Sequence, residues 1–140
     1  MKIDKIYSPD ATDLNDLRRR FWEYSVAQIP DLRPESEDQE FLFSIRKGEN
    51  LVGGIYGSVY WNGLEIDTLW VDAQHRGSGI GTRLLSEAET FARENGAVVA
   101  FFKTVDAREF YEKQGYQVYG VLEDRPIGTR LFHMKKRLDD

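Results

Sequence analysis

Three glycines alternate after an arginine in Arg76-Gly77-Ser78-Gly79-Ile80-Gly81-Thr82, and an apolar stripe at helical spacing (Leu84, Leu85, Ala88, Phe91, Ala92) follows at once. Such a loop leaves main-chain N–H groups uncovered at the positive end of a helix, which makes a cradle for an anion. Ser78 and Thr82 can add hydroxyl donors. The spacing is not the dinucleotide fingerprint, because Thr82 stands where its third glycine belongs, and no Gly-Lys pair follows as a Walker loop needs. Upstream, Glu65 and Asp67 lie two apart in a strand-like run, which puts both carboxylates on one face. With no cysteine and two histidines, His75 and His133, the chain excludes a thiolate nucleophile, a disulfide framework and a Cys- or His-rich metal site.

The elements that hold these residues can be read along the chain. Residues 2–7 suggest a short strand. From Thr12, read as an N-cap, Leu14, Leu17, Phe21 and Trp22 recur at helical spacing until Pro30. The acidic stretch 31–40 suggests a short second helix. Strands are expected over 41–46, 51–60 and 64–71, with Asn62-Gly63 as a type I′ hairpin signal. The glycine loop and its helix end at Asn95-Gly96, a C-cap, and 97–102 reads as a buried strand. A strand–helix–strand crossover makes 64–71 and 97–102 parallel neighbours or near-neighbours. A short helix over 107–114 stops at Gly115, and strands 116–121 and 130–137 close the chain. The expectation is one α+β domain over residues 1–140, a central mixed sheet of about seven strands flanked by about four helices.

Length and 41% hydrophobic content suit a single core, and a net charge of −5 argues against a duplex or a membrane surface as partner. No run approaches the ~18 apolar residues of a membrane span and the start has no signal-peptide core, so a cytoplasmic location is expected.

The loop Arg76–Gly81 has the form R-x-x-G-x-G/A, and Ala107-Arg108-Glu109-Phe110-Tyr111-Glu112-Lys113-Gln114-Gly115-Tyr116 has the form A-x-x-[FL]-Y-E-K-x-G-[FY]. Through these two motifs, residues 64–121 resemble the GNAT superfamily of N-acetyltransferases. The resemblance implies an acyl-CoA N-acyltransferase fold, acetyl-CoA as co-substrate, no metal, a small-molecule amine as acceptor, and a monomer or homodimer. It also implies roles. Arg76, Gly77, Ser78, Gly79, Ile80, Gly81 and Thr82 would bind the coenzyme diphosphate, and Leu69, Trp70 and Val71 the pantetheine arm where two parallel strands splay. A main-chain N–H near Val71 would stabilise the oxyanion. Ala107 and Phe110 belong to the second motif, and Tyr111 is the implied general acid for the departing thiolate. Thr104 stands where many relatives have an asparagine that contacts pantetheine. The attacking amine must lose a proton; by resemblance to the histone-acetylating branch Glu65 is the implied base, with Asp67 or water as alternatives. His133 could reach the acceptor side, and Trp22 and Tyr24 could line it. Competing readings are a non-catalytic acyl-CoA sensor, a protein lysine or N-terminal acetyltransferase, and a binder of other phosphate ligands such as ATP or NAD.

Overall fold

The computed structural model describes residues 1–140, which divide into two compact units, Met1–Arg33 and Pro34–Asp140. The first unit holds one helix, α1 (Ala11–Gln28). Its cap is Asp10 rather than Thr12: the Asp13 N–H donates to the Asp10 carboxylate at 2.9 Å and the Asp10 N–H to the Asp13 carboxylate at 3.0 Å. This reciprocal box satisfies two helix-end donors, which a threonine inside the first turn would not. Residues 2–7 form no strand; the apolar residues Ile3, Ile6 and Tyr7 do not follow the two-residue period of a half-buried strand.

The second unit is built on one six-stranded mixed sheet in the order β1-β2-β3-β4-β6-β5, instead of about seven strands. Its strands are β1 (Gln39–Lys47), β2 (Asn50–Tyr60), β3 (Gly63–Val71), β4 (Val99–Thr104), β5 (Gln117–Glu123) and β6 (Arg130–Arg137). Two helices follow strands of this unit, α2 (Ile80–Glu94) after β3 and α3 (Arg108–Lys113) after β4. The acidic stretch makes only one short turn, Glu35–Glu37, because Pro34 precedes it and like charges crowd any longer helix.

The β2–β3 hairpin turns on Trp61 and Asn62, with φ of 47° and 61°, so the type I′ pair falls one residue before Asn62-Gly63. Gly63 already belongs to β3, where it pairs with Tyr60 and Val99. A Cβ there would lie 3.1 Å from the Phe101 ring, so this glycine serves close strand packing rather than the turn.

Two irregularities shape β3. Its register with β2 jumps at Asp67, where Tyr56 faces Thr68 but Gly57 faces Ile66. One extra residue on β3 is a bulge, and it bends the strand. Gly57 makes room for it, since a Cβ at that position would overlap the Glu65 carbonyl oxygen. Beyond Glu65, β3 and β4 part: they pair in parallel only as Gly63–Val99, Leu64–Ala100 and Glu65–Phe101. The sheet is therefore open between residues 66–71 and 102–104.

Helix α2 packs on β1, β2 and β3, burying Leu84, Leu85, Ala88 and Ala92 against a core whose fully enclosed side chains include Ile55, Leu64 and Met134. One charge is buried with them. Glu89 accepts from the Tyr116 hydroxyl at 2.8 Å and from Lys136 Nζ at 2.9 Å, tying α2 to β6 and to the residue that leads into β5. Burial first, then the neighbouring Glu89 carboxylate, pushes the Tyr116 hydroxyl pKa far up, so it remains a donor. Replacing Glu89 by alanine strands a phenol and an ammonium; a loss of about 3 kcal/mol in stability is expected, read as a lower denaturant midpoint. No helix of the chain is long and apolar enough to cross a membrane.

Candidate active site

Two clefts flank the opening between β3 and β4. The larger, about 1080 Å³, runs from Leu69, Trp70 and Val71 along the glycine loop to α3 and the start of β6. The smaller, about 410 Å³, lies over Tyr56 to Ser58, Glu65 to Asp67, Phe101 to Lys103, Tyr119 and His133. Phe132 lines the first and His133 the second; as sequence neighbours on one strand they face opposite sides of the sheet. A group entering through one cleft can therefore meet a group entering through the other where the strands diverge.

The glycine loop has the form expected of it. Gly77 and Gly79 have φ of 83° and 87°, left-handed backbone in which side chains are costly, and Gly79 is the N-cap of α2. No side chain caps the helix start, so its first N–H groups remain for a ligand. The loop is braced from behind: Arg76 Nε donates to the Val71 carbonyl at 3.0 Å, and Asp72 accepts the Gln74 N–H at 3.4 Å. Ser78 Oγ donates to the His75 carbonyl.

Of the residues assigned to the coenzyme, Leu69, Trp70, Val71, Arg76, Gly77, Gly79, Gly81, Thr82, Ala107, Phe110 and Tyr111 line the larger cleft together. Ser78, Ile80 and Thr104 fall outside this lining. The Ser78 hydroxyl is spent within the loop, and Ile80 packs against the core. Thr104 Oγ1 accepts the Ala107 N–H at 3.2 Å, so the hydroxyl that replaces asparagine serves the entry to α3. The cleft adds residues given no coenzyme role from the sequence, among them His75 beside the loop, Arg108 of the second motif, Arg130 and Phe132. The Arg108 guanidinium lies 5.0 Å from the Phe132 ring centre and 3.3 Å from Glu112. No local pattern marks Arg130, which arrives through strand pairing.

Tyr111 reaches this cleft from α3 with its ring buried, 4.0 Å from the Phe102 ring centre and 5.9 Å from that of Tyr116. Burial first, and the nearby Asp106 carboxylate second, push its hydroxyl up to about 12. It is a proton donor through the whole neutral range.

The carboxylates Glu65 and Asp67 share the smaller cleft, as their spacing implied. The Tyr60 hydroxyl donates to Glu65 Oε1 at 2.8 Å, and Thr68 Oγ1 to Asp67 Oδ1 at 2.6 Å. Burial, then the Glu65 carboxylate, raises the Tyr60 hydroxyl to about 12. On the same wall the Tyr56 hydroxyl donates to Glu40 at 3.1 Å. Trp22 and Tyr24 lie on α1 in the first unit, with Tyr24 exposed and no residue of the helix buried.

A sheet opened between two parallel strands, with a phosphate-type loop opening the helix after the first, is the frame of an acyl-CoA-dependent transferase. Comparison with known proteins agrees. The profile of the Acetyltransferase (GNAT) family matches residues 6–116, and the chain belongs to that family. It is similar to the blasticidin-S acetyltransferase of Streptomyces morookaense, 41% identical over 95 residues, covering 66% of this chain and 69% of that one. The crystal structure of an acetyltransferase from Bacillus cereus superposes with a TM-score of 0.83 at 31% identity, covering 96% and 97% of the two chains. An aminoglycoside 6′-N-acetyltransferase solved with coenzyme A shares the fold, with a TM-score of 0.64 at 21% identity over 99% and 97%. The protein is an N-acetyltransferase.

Proposed function

We propose that the chain moves the acetyl group of acetyl-CoA onto a primary amine of a small molecule by direct attack on the thioester. The observation that carries this reading is the pair of clefts flanking the gap between β3 and β4. The diphosphate sits on the N–H groups of the glycine loop and the pantetheine lies along Leu69–Val71. The free edge of β3 offers a main-chain donor to the developing oxyanion. Tyr111 gives its proton to the departing thiolate, whose reference pKa of about 8.5 lies well below that of the phenol.

The amine enters from the smaller cleft. An alkyl amine has a reference pKa of about 10.4, so a base must take its proton at neutral pH. Glu65 is that base, and Tyr60 holds one of its oxygens, which leaves Oε2 for the incoming proton. The similarity to a blasticidin-S acetyltransferase supports amine antibiotics as the first acceptors to try. A panel of amines including blasticidin S, assayed for acetyl-CoA-dependent release of free thiol, tests the reading; release with none of them defeats it.

Glu65→Gln is expected to lower the rate by about tenfold to a hundredfold at pH 7, a loss that shrinks toward pH 10 as the neutral amine becomes abundant. Tyr60→Phe should cost roughly tenfold in kcat in the wild-type background and almost nothing in the Glu65→Gln background. An equal loss in both would give Tyr60 a packing role only.

A further inference from the structure

The smaller cleft has two unlike banks. Its β2–β3 side carries Glu65 and Asp67, with the ring and hydroxyl of Tyr56 leading to Glu40. Its far side carries Lys103 on β4 and His133 on β6, which face each other across the strand pair and so project to the same side. Lys103 has no carboxylate partner, although two carboxylates line the same cavity. The next cation along β6, Lys135, is used differently: its Nζ lies over the Tyr119 ring at 5.6 Å from the centre. That ring in turn meets His133 edge-on at 6.0 Å, walling the cationic bank.

A cavity with proton-accepting carboxylates on one side and an unpaired ammonium beside an imidazole on the other is complementary to a ligand with charge of both signs. We propose that the acceptor is an amine that also bears a carboxylate or a similar anionic group, and that Lys103, assisted by His133, selects it by pairing with that group. The inference rests on the smaller cleft being the acceptor site. The amine then faces Glu65 while the anion is held across the gap, which orients the nucleophile toward the thioester. A diamine or other polycation would leave Lys103 facing positive charge, a repulsion that works against it.

The test compares amines in matched pairs: each carboxylate-bearing acceptor against its methyl ester, and lysine against cadaverine. The carboxylate member should be preferred by tenfold or more in kcat/KM. Lys103→Met should bring that ratio close to one, and Lys103→Arg should preserve it. A ratio near one in the native enzyme, or a ratio that Lys103→Met leaves untouched, overturns the assignment. Turnover without carboxylate preference defeats this inference alone. Absence of turnover with every pair, while acetyl-CoA still binds, defeats the catalytic reading together with it.

Discussion

Gly79→Asp should weaken acetyl-CoA binding by a hundredfold or more while leaving the fold intact. Gly79 caps α2 with φ 87° and ψ 3°, and a Cβ placed there meets nothing within 4 Å. Aspartate is among the residues that tolerate left-handed backbone, and a carboxylate at a helix start favours the helix. The strain of a side chain at this φ is offset in folding by the favourable helix-end charge, whereas in binding the charge only opposes. The new charge would occupy the mouth of the cradle that the diphosphate needs. Two unit charges about 4 Å apart repel by about 4 kcal/mol at an effective dielectric near 20, whereas a hundredfold loss needs only about 2.7 kcal/mol. Calorimetric titration with acetyl-CoA measures the loss, and the melting temperature of the free protein shows whether the fold survived. Gly79→Ala separates the two causes, because it carries the conformational cost without the charge and should lose far less. Equal affinity in Gly79→Asp and native protein would place the diphosphate elsewhere.

The shape of the loop was legible in the sequence because it is written in consecutive residues: glycines where left-handed backbone is required, then a helical stripe. The same holds for α3, whose Tyr111 sits within a ten-residue segment. What escaped was set by pairing. The bulge at Asp67 depends on Gly57 of a neighbouring strand, where a side chain would strike the Glu65 carbonyl, and no run within β3 announces it. The turn shifted to Trp61-Asn62 because Gly63 is needed against Phe101; an Asn-Gly pair cannot say which of two demands its glycine meets. Thr104, placed by resemblance beside the pantetheine, also has a local partner that its type alone does not announce: its hydroxyl accepts the Ala107 N–H three residues on. On the far bank of the smaller cleft, His133 was expected on the acceptor side but its neighbour Lys103 was hidden, for a related reason. Lys103 and His133 lie thirty residues apart in sequence and become neighbours only through the register of β4 with β6.

Tyr111→Phe should lower kcat by about a hundredfold and change acetyl-CoA affinity by less than threefold. The ring is the buried part of this residue, packed on Phe102 and Tyr116, and phenylalanine retains it. Only the hydroxyl is lost, and in the proposed reaction that hydroxyl acts late, as the carbon–sulfur bond breaks. A proton given to a leaving group in the transition state contributes about 10² to 10⁴ in rate without adding to ground-state binding. The pH dependence adds a sharper criterion. Because burial holds the phenol at about 12 against an ordinary value near 10, it remains protonated from pH 7 to pH 10, and the ratio of native to variant rates should stay flat across that range. The raised value also carries a stability consequence. Native-state burial favours the neutral phenol, so its contribution is complete below pH 10 and falls away as pH rises toward 12. Loss of stability in the native protein over that upper window, reduced in Tyr111→Phe, would tie the titration to this residue. A variant that turns over at the native rate at every pH would remove Tyr111 from the chemistry and leave water to protonate the thiolate.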